Sequence, residues 1–202
     1  MSGLLSDSVN QLSFFSADTD APDVRDLGGL LAAQGQAAAA ADRARVSVVV
    51  DAQWRAEAIA ELIEEAGLAA ELTRSDEGSP LVRTASVPEL LALATDWTKG
   101  AVKAVPAGWI PGPRALRAWT LAAGHTEADG ERFVLGLDPH APDTHAVLAQ
   151  SLMRAGIAPT LMGTRGGHPG LRVVGHRRLQ RLVENVGQPP DRPEARGAWP
   201  RV

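Results

Sequence analysis

One pattern recurs along this chain at a fixed spacing of 89 residues, and that recurrence constrains the fold more than any other feature. Leu27 to Gly35 (Leu-Gly-Gly-Leu-Leu-Ala-Ala-Gln-Gly) falls on Leu116 to Gly124 (Leu-Arg-Ala-Trp-Thr-Leu-Ala-Ala-Gly), and 116 − 27 sets the spacing of 89. Without a gap, the same spacing carries Gly67 onto Gly156, Leu72 onto Leu161, Pro80 onto Pro169, Arg83 onto Arg172, Leu90 onto Leu179 and Leu93 onto Leu182. Such register reads as one supersecondary unit present twice. Two units of roughly 80 residues fit within one domain and can share one core.

The boundaries follow from composition. Residues 1–22 form a polar arm with one apolar knot, Leu12 to Phe15, and residues 23–100 form the first unit. Residues 101–112 are a linker whose Pro106, Gly108, Pro111 and Gly112, with Pro113 beyond, forbid a continuous helix. Residues 113–187 form the second unit, and residues 188–202 are expected to be a disordered, extended Pro/Arg tail ending near Trp199.

Each unit opens on a short helix rich in small residues, with Asp23 or Asp26 available to cap the first. Gly28, Gly29, Ala32 and Ala33 line one helix, and Ala118 and Ala122 line the other. Glycine inside a helix costs about 1 kcal/mol, so close packing of the two helices is expected to offset it. Gly29 and Ala122 are therefore expected to tolerate no large side chain. Behind each helix comes a strand (Arg43 to Val50; Glu131 to Leu137), then a helix of 3.6-residue period (Trp54 to Ala66; Thr144 to Ala155) stopped by Gly67 or Gly156. Asp143 stands where it can cap the second of these. Two strands and a closing helix follow: Leu68 to Arg74, Leu81 to Val87 and Pro88 to Trp97, then Ile157 to Gly163, Leu171 to Val174 and His176 to Val186.

Both nine-residue stretches resemble the signature helix of the LAGLIDADG homing-endonuclease family. Gly29-Leu30-Leu31 and Gly35 stand in the motif's places, and Leu116 to Gly124 is similar to the degenerate motif of the WhiA sporulation regulators. The resemblance implies an α+β fold: two tandem repeats, each a helix, an antiparallel sheet and further helices, forming one pseudo-two-fold domain. It also implies a saddle-shaped sheet face that straddles the DNA major groove. In active members an acid precedes the final motif glycine, and two such acids hold divalent metal at the scissile phosphates. Hard cations want carboxylate oxygen, and the metal stabilises in-line displacement. Here those positions are Gln34 and Ala123, which supply no charged ligand. Asp42, Glu127 and Asp129 lie beyond the motif glycines and would need a different geometry. The expectation is a protein without nuclease activity, resident metal or cofactor. Asp138, His140, Asp143 and His145 could bind a metal by residue type, but the first repeat has Val49, Asp51, Trp54 and Ala56 at those places, so the fold does not require the cluster.

Strands alternate faces. If Val46, Val48, Leu135 and Leu137 face the helices, Arg43, Arg45 and Arg132 face away, with Arg83 and Arg172 on the same open side. Arg165 sits in the last hairpin turn. By the spacing of 89, Arg43 matches Arg132 and Arg83 matches Arg172. Arginine reads guanine or holds phosphate, so these six are the candidate DNA contacts.

Charge argues the other way. The chain carries −4 overall: residues 1–100 hold 7 Lys/Arg against 16 Asp/Glu, and residues 101–202 hold 13 against 8. Tight nucleic-acid binders are usually basic. The expected partners are therefore double-stranded DNA, held weakly, or a transcription-related protein docked on the acidic half, the Phe14/Phe15 arm or the tail. A residual metal nuclease is the least favoured reading. The absence of cysteine excludes disulfides and thiolate metal sites, and no apolar run is long enough to span a membrane. A monomeric, cytoplasmic protein is expected, and the excess of Arg over Lys with abundant Ala points to a GC-rich bacterial source.

Overall fold

The computed structural model describes residues 16–163 and 168–202. The apolar knot of the arm and Arg165 lie outside the described residues.

The end of the N-terminal arm is docked, with Ser16 and Ala17 buried and Ala17 N donating to Asn185 O at 2.8 Å, and the first helical turn is capped by Asp23. Its Oδ1 accepts from Arg25 N at 2.8 Å, and Asp26 reaches back to Asp23 N at 2.8 Å, a reciprocal cap on a 3-10 turn, Val24–Leu27. The turn runs into α1 (Gly28–Ala32). The first unit continues with β1 (Gln36–Ala40), β2 (Arg43–Val49), α2 (Gln53–Glu65), β3 (Ala70–Arg74), β4 (Pro80–Thr84) and α3 (Leu91–Asp96). A small hairpin, β5 (Thr98–Lys99) and β6 (Val102–Lys103), joins the end of the first unit to the linker. The second unit contains α4 (Pro113–Ala123), β7 (Gly124–Glu127), β8 (Arg132–Gly136), α5 (His145–Arg154), β9 (Thr160–Met162), β10 (Gly170–Val174) and α6 (His176–Val186), and α7 (Pro193–Ala198) follows. Asp143 makes no capping bond; it lies exposed in a 3-10 turn before α5.

Both units build a four-stranded antiparallel sheet with the same order, β1-β2-β4-β3 and β7-β8-β10-β9. The fold is α+β. Hydrogen bonds refine the sequence repeat. Val50 N donates to Pro80 O at 2.9 Å, and Leu137 N donates to Pro169 O at 3.0 Å. The prolines are 89 apart, but the donors are 87 apart. Likewise Ser47 faces Arg83, whereas Val134 faces Arg172. The second unit has a hairpin two residues shorter before β8 and regains them in the loop after it. Arg132 therefore corresponds to Arg45, correcting the match to Arg43 by constant spacing. Asp138 corresponds to Asp51.

Val46, Val48 and Val82 of one sheet, and Phe133, Leu135 and Val173 of the other, are buried under the helices. Between the units α1 lies directly on α4. A Cβ built on Gly29 would overlap the Ala115 carbonyl and stand 2.9 Å from Ala118 Cβ. Only a residue without a side chain permits that approach. The linker is pinned by Trp109, whose ring meets Trp97 edge-on at 4.9 Å and lies 6.4 Å from Trp119.

The tail departs from the extended segment read from its prolines. Residues 193–198 are helical, and Trp199 is buried with its Nε1 donating to Gly187 O at 2.9 Å under the Arg117 guanidinium. Arg192 meets Glu57 and Glu61 of α2. Proline supplied the first helical position, where its missing N–H costs nothing, and tryptophan supplied buried area.

Candidate nucleic-acid interface

The C-terminal ends of α1 and α4 meet where Gln34 and Ala123 sit. A helix C-terminus presents unpaired carbonyls and a partial negative charge, which attract cations. Arg55 of α2 answers at α4. Its buried guanidinium donates to Thr120 O at 3.1 Å, Leu121 O at 2.9 Å and Gly124 O at 2.6 Å, while its Nε pairs with Asp51 at 2.9 Å. Lys103, one of the chain's two lysines, answers at α1. Its Nζ donates to Ala33 O at 2.6 Å and pairs with Asp138 at 2.9 Å. Each helix end thus holds one cation backed by one aspartate, and the two aspartates are the structural equivalents Asp51 and Asp138. The amide of Gln34 bridges the units, donating to Val49 O at 2.9 Å and Ala122 O at 3.1 Å.

Asp138 is only 3% exposed in its side chain and Lys103 9%. Burial raises the Asp138 carboxyl, but Lys103, the His140 N–H and Gln36 outweigh that and hold it below its usual value. Burial pulls the Lys103 ammonium below its ordinary value against the attraction of Asp138. Burial likewise lowers Arg55.

This fold type in its nuclease form implies a divalent metal between the motif helices, and the donors here do not fit one. Gln34 offers a neutral amide oxygen in place of a carboxylate, Ala123 offers nothing, and the nearest carbonyls already accept from the Gln34 amide, Lys103 or Arg55. Among the described residues no three His, Asp or Glu side chains converge on a common point. The loop cluster is dispersed too: Asp138 is taken by Lys103 and Gln36, His145 Nε2 bonds Asp138 O at 2.7 Å, and His140 and Asp143 are exposed. These side chains offer a metal-dependent step no ligand set.

The sheet faces turned away from the helices carry the arginines assigned to them from strand alternation: Arg43, Arg45 and Arg83 on one, Arg132 and Arg172 on the other. Their surroundings differ. Arg83 is forked onto Glu71 at 2.9 and 2.8 Å, and Arg172 onto Glu127 at 2.7 and 3.2 Å. Those hydrogen bonds hold both glutamates below the usual carboxylate range. Arg43 lies 3.8 Å from Asp42. The side chains of Arg45 and Arg132 are exposed and make no ion pair or hydrogen bond among the described residues, though each lies in the field of the nearby glutamate, Glu71 or Glu127. Sequence reasoning could place all five on one kind of face. It could not see which guanidinia are already occupied, because the pairing glutamates come from other strands, Glu71 from β3 beside β4 and Glu127 from β7, two strands across from β10.

No family model and no curated protein matches the sequence. Solved structures do match the fold. The homing endonuclease I-WcaI, bound to its DNA recognition sequence, superposes with a TM-score of 0.63 at 12% identity, over 88% of this chain and 86% of that one. Full-length DUF199/WhiA from Thermatoga maritima gives 0.57 at 15% identity, over 81% of this chain and 54% of that one. The N-terminal LAGLIDADG domain of DUF199/WhiA gives 0.54 at 13% identity, over 82% of each chain. The chain has a LAGLIDADG homing-endonuclease-like fold, as the signature stretches implied. It spans about half of full-length WhiA. Among the described residues no helix is long and apolar enough to cross a membrane.

Proposed function

We propose that this protein is a DNA-binding regulatory module of LAGLIDADG type that does not cleave DNA, and that residues 23–100 and 113–187 act as pseudo-two-fold halves of one saddle. The observation that carries the reading is the pair of cations at the motif-helix ends. Lys103 and Arg55 occupy the carbonyl ends of the two motif helices, beside the positions where the resemblance puts the metal-holding acids, and each is paired with one aspartate, Asp138 buried and Asp51 exposed, so the charge a divalent ion would supply there is already present. DNA contact rests on the open sheet faces, where five arginines oppose Glu71 and Glu127. Arg45 and Arg132, structurally equivalent and unpaired, are the guanidinia free to meet phosphate or base edges. Arg83 and Arg172 would have to leave their glutamates, so their contribution is smaller.

One observation favours a second reading, a protein-interaction module in transcription without DNA contact: those two clamps neutralise part of an already acidic chain. Two assays separate the readings. Incubation with supercoiled plasmid and magnesium or manganese is expected to leave it intact, and gel-shift titration at low salt is expected to retard duplex DNA. Nicking that disappears in Asp42→Asn, Glu127→Gln or Asp129→Asn would overturn the non-cleaving half. Absence of any retardation would leave the protein-interaction reading.

A further inference from the structure

The second unit carries a cationic surface that DNA contact on the sheets does not use. α6 buries Leu179, Leu182 and Val186 and turns His176, Arg177, Arg178 and Arg181 outward, all exposed. None of these four makes an ion pair or side-chain hydrogen bond among the described residues; the helix's one acid, Glu184, is bonded to Gln180. Arg181 lies over the turn after α5, with Nε 3.6 Å from where a Cβ on Gly156 would stand. The fold does not demand this charge. By the spacing of 89 the matching positions of the first unit are Val87, Pro88, Glu89 and Ala92, with no cation among them. Three guanidinia, Arg177, Arg178 and Arg181, within two turns of helix repel one another, so a partner of opposite charge is the arrangement that offsets the cost.

The same surface continues into a cleft of 410 Å³ at the start of α6, lined by Gly130, Glu131, His176, Leu179, Arg201 and Val202. Its wall is partly apolar, through Leu179 and the exposed Val202. A nucleic-acid backbone gains from the arginines and nothing from that wall. A peptide with carboxylates and one apolar side chain gains from both, since Arg forks pair with carboxylates while the cleft takes the anchor. The patch from 176 to 181 is also short, roughly 8 Å at the rise of an α-helix, which suits a few carboxylates. It lies on the helix layer, away from the open face of Arg45 and Arg132.

We propose that the outer face of α6 and the cleft at its start dock an acidic segment of a partner protein that carries one aromatic or aliphatic anchor. The test uses the full chain and two fluorescent probes: a short Asp/Glu peptide with one central Trp, and the same peptide with Gly in place of Trp. The variant Arg177→Ala/Arg178→Ala/Arg181→Ala changes exposed side chains only, and its fold is checked by its melting curve. Wild type is expected to bind the Trp peptide several-fold more tightly than the Gly peptide. The variant is expected to bind the Trp peptide at least about tenfold more weakly, with duplex DNA binding unchanged. Equal peptide binding by variant and wild type, or no peptide binding at all, overturns the proposal. Loss of duplex binding in step with peptide binding overturns it in favour of a nucleic-acid surface, and equal affinity for both peptides removes the cleft from it. Because the sheet faces are untouched in this variant, failure here is distinct from failure of the DNA-binding reading.

Discussion

Replacing Gly29 by alanine separates a close helix pair from an ordinary helix by the sign of the effect. In an open helix interior, Gly→Ala stabilises by about 1 kcal/mol. At Gly29 the added methyl overlaps the Ala115 carbonyl and stands 2.9 Å from Ala118 Cβ. Neither neighbour has room to retreat, since Ala115 is 4% exposed and Ala118 is 0% exposed. Overpacking costs roughly 1–3 kcal/mol, and a clash with backbone belongs at the upper end. Setting about 3 against the helix gain of about 1 leaves a net loss of about 2 kcal/mol. In a chain of this length each kcal/mol moves Tm by about 2–4 °C, so Gly29→Ala should melt roughly 4–8 °C below wild type. Gly197 in α7 supplies the control, because a Cβ there meets nothing within 4 Å. Gly197→Ala should melt at or slightly above the wild-type temperature. Calorimetry on the three proteins decides the matter, and a Gly29→Ala protein as stable as wild type would remove the helix pair from the core.

Lys103→Ala leaves Asp138 buried without its cation and should cost about 3–5 kcal/mol in urea titration; a loss under about 1 kcal/mol would mean that the pair is not formed in solution. Asp138 titrates lower in the folded protein than in the unfolded chain, so its stabilisation is present above a pH of about 4 and is lost as pH falls through the folded value. The Asp138→Asn variant should therefore lose less stability than wild type between neutral pH and about pH 3, and parallel losses would contradict this. Trp199→Ala should cost about 3 kcal/mol, whereas Arg192→Ala, whose ion pairs are solvent-screened, should cost far less; equal small costs would mean that the tail does not dock.

The sequence made the repeat, the paired small-residue helices and the missing acids legible because each is local or periodic. α6 spans His176–Val186, as read from the sequence. β1 was harder to see, since Gln-Ala-Ala-Ala-Ala carries helix propensity and becomes a strand only by pairing with β2. Constant spacing misassigned Arg132 because the insertion and deletion around β8 cancel, leaving the longer alignment undisturbed. The cations at the helix ends were not legible. Lys103 and Asp138 are 35 residues apart, and Arg55 reaches α4 across 65 to 69 residues. One available signal was the presence of Lys103 in a chain that otherwise uses arginine almost throughout. A strongly hydrated, compact ammonium and a planar guanidinium are not interchangeable.

The salt dependence of duplex binding tests the central claim most directly. Removing one cation from a phosphate makes the slope of log K against log salt shallower by about 0.9. If Arg45 and Arg132 each hold one phosphate, wild type binds labelled duplex weakly and with a slope of log K against log salt that includes about −1.8 from this pair. The Arg45→Ala/Arg132→Ala protein should then bind more weakly, with a slope shallower by about 1.8. An unchanged slope, or no wild-type binding at low salt, would contradict DNA contact through the sheet faces.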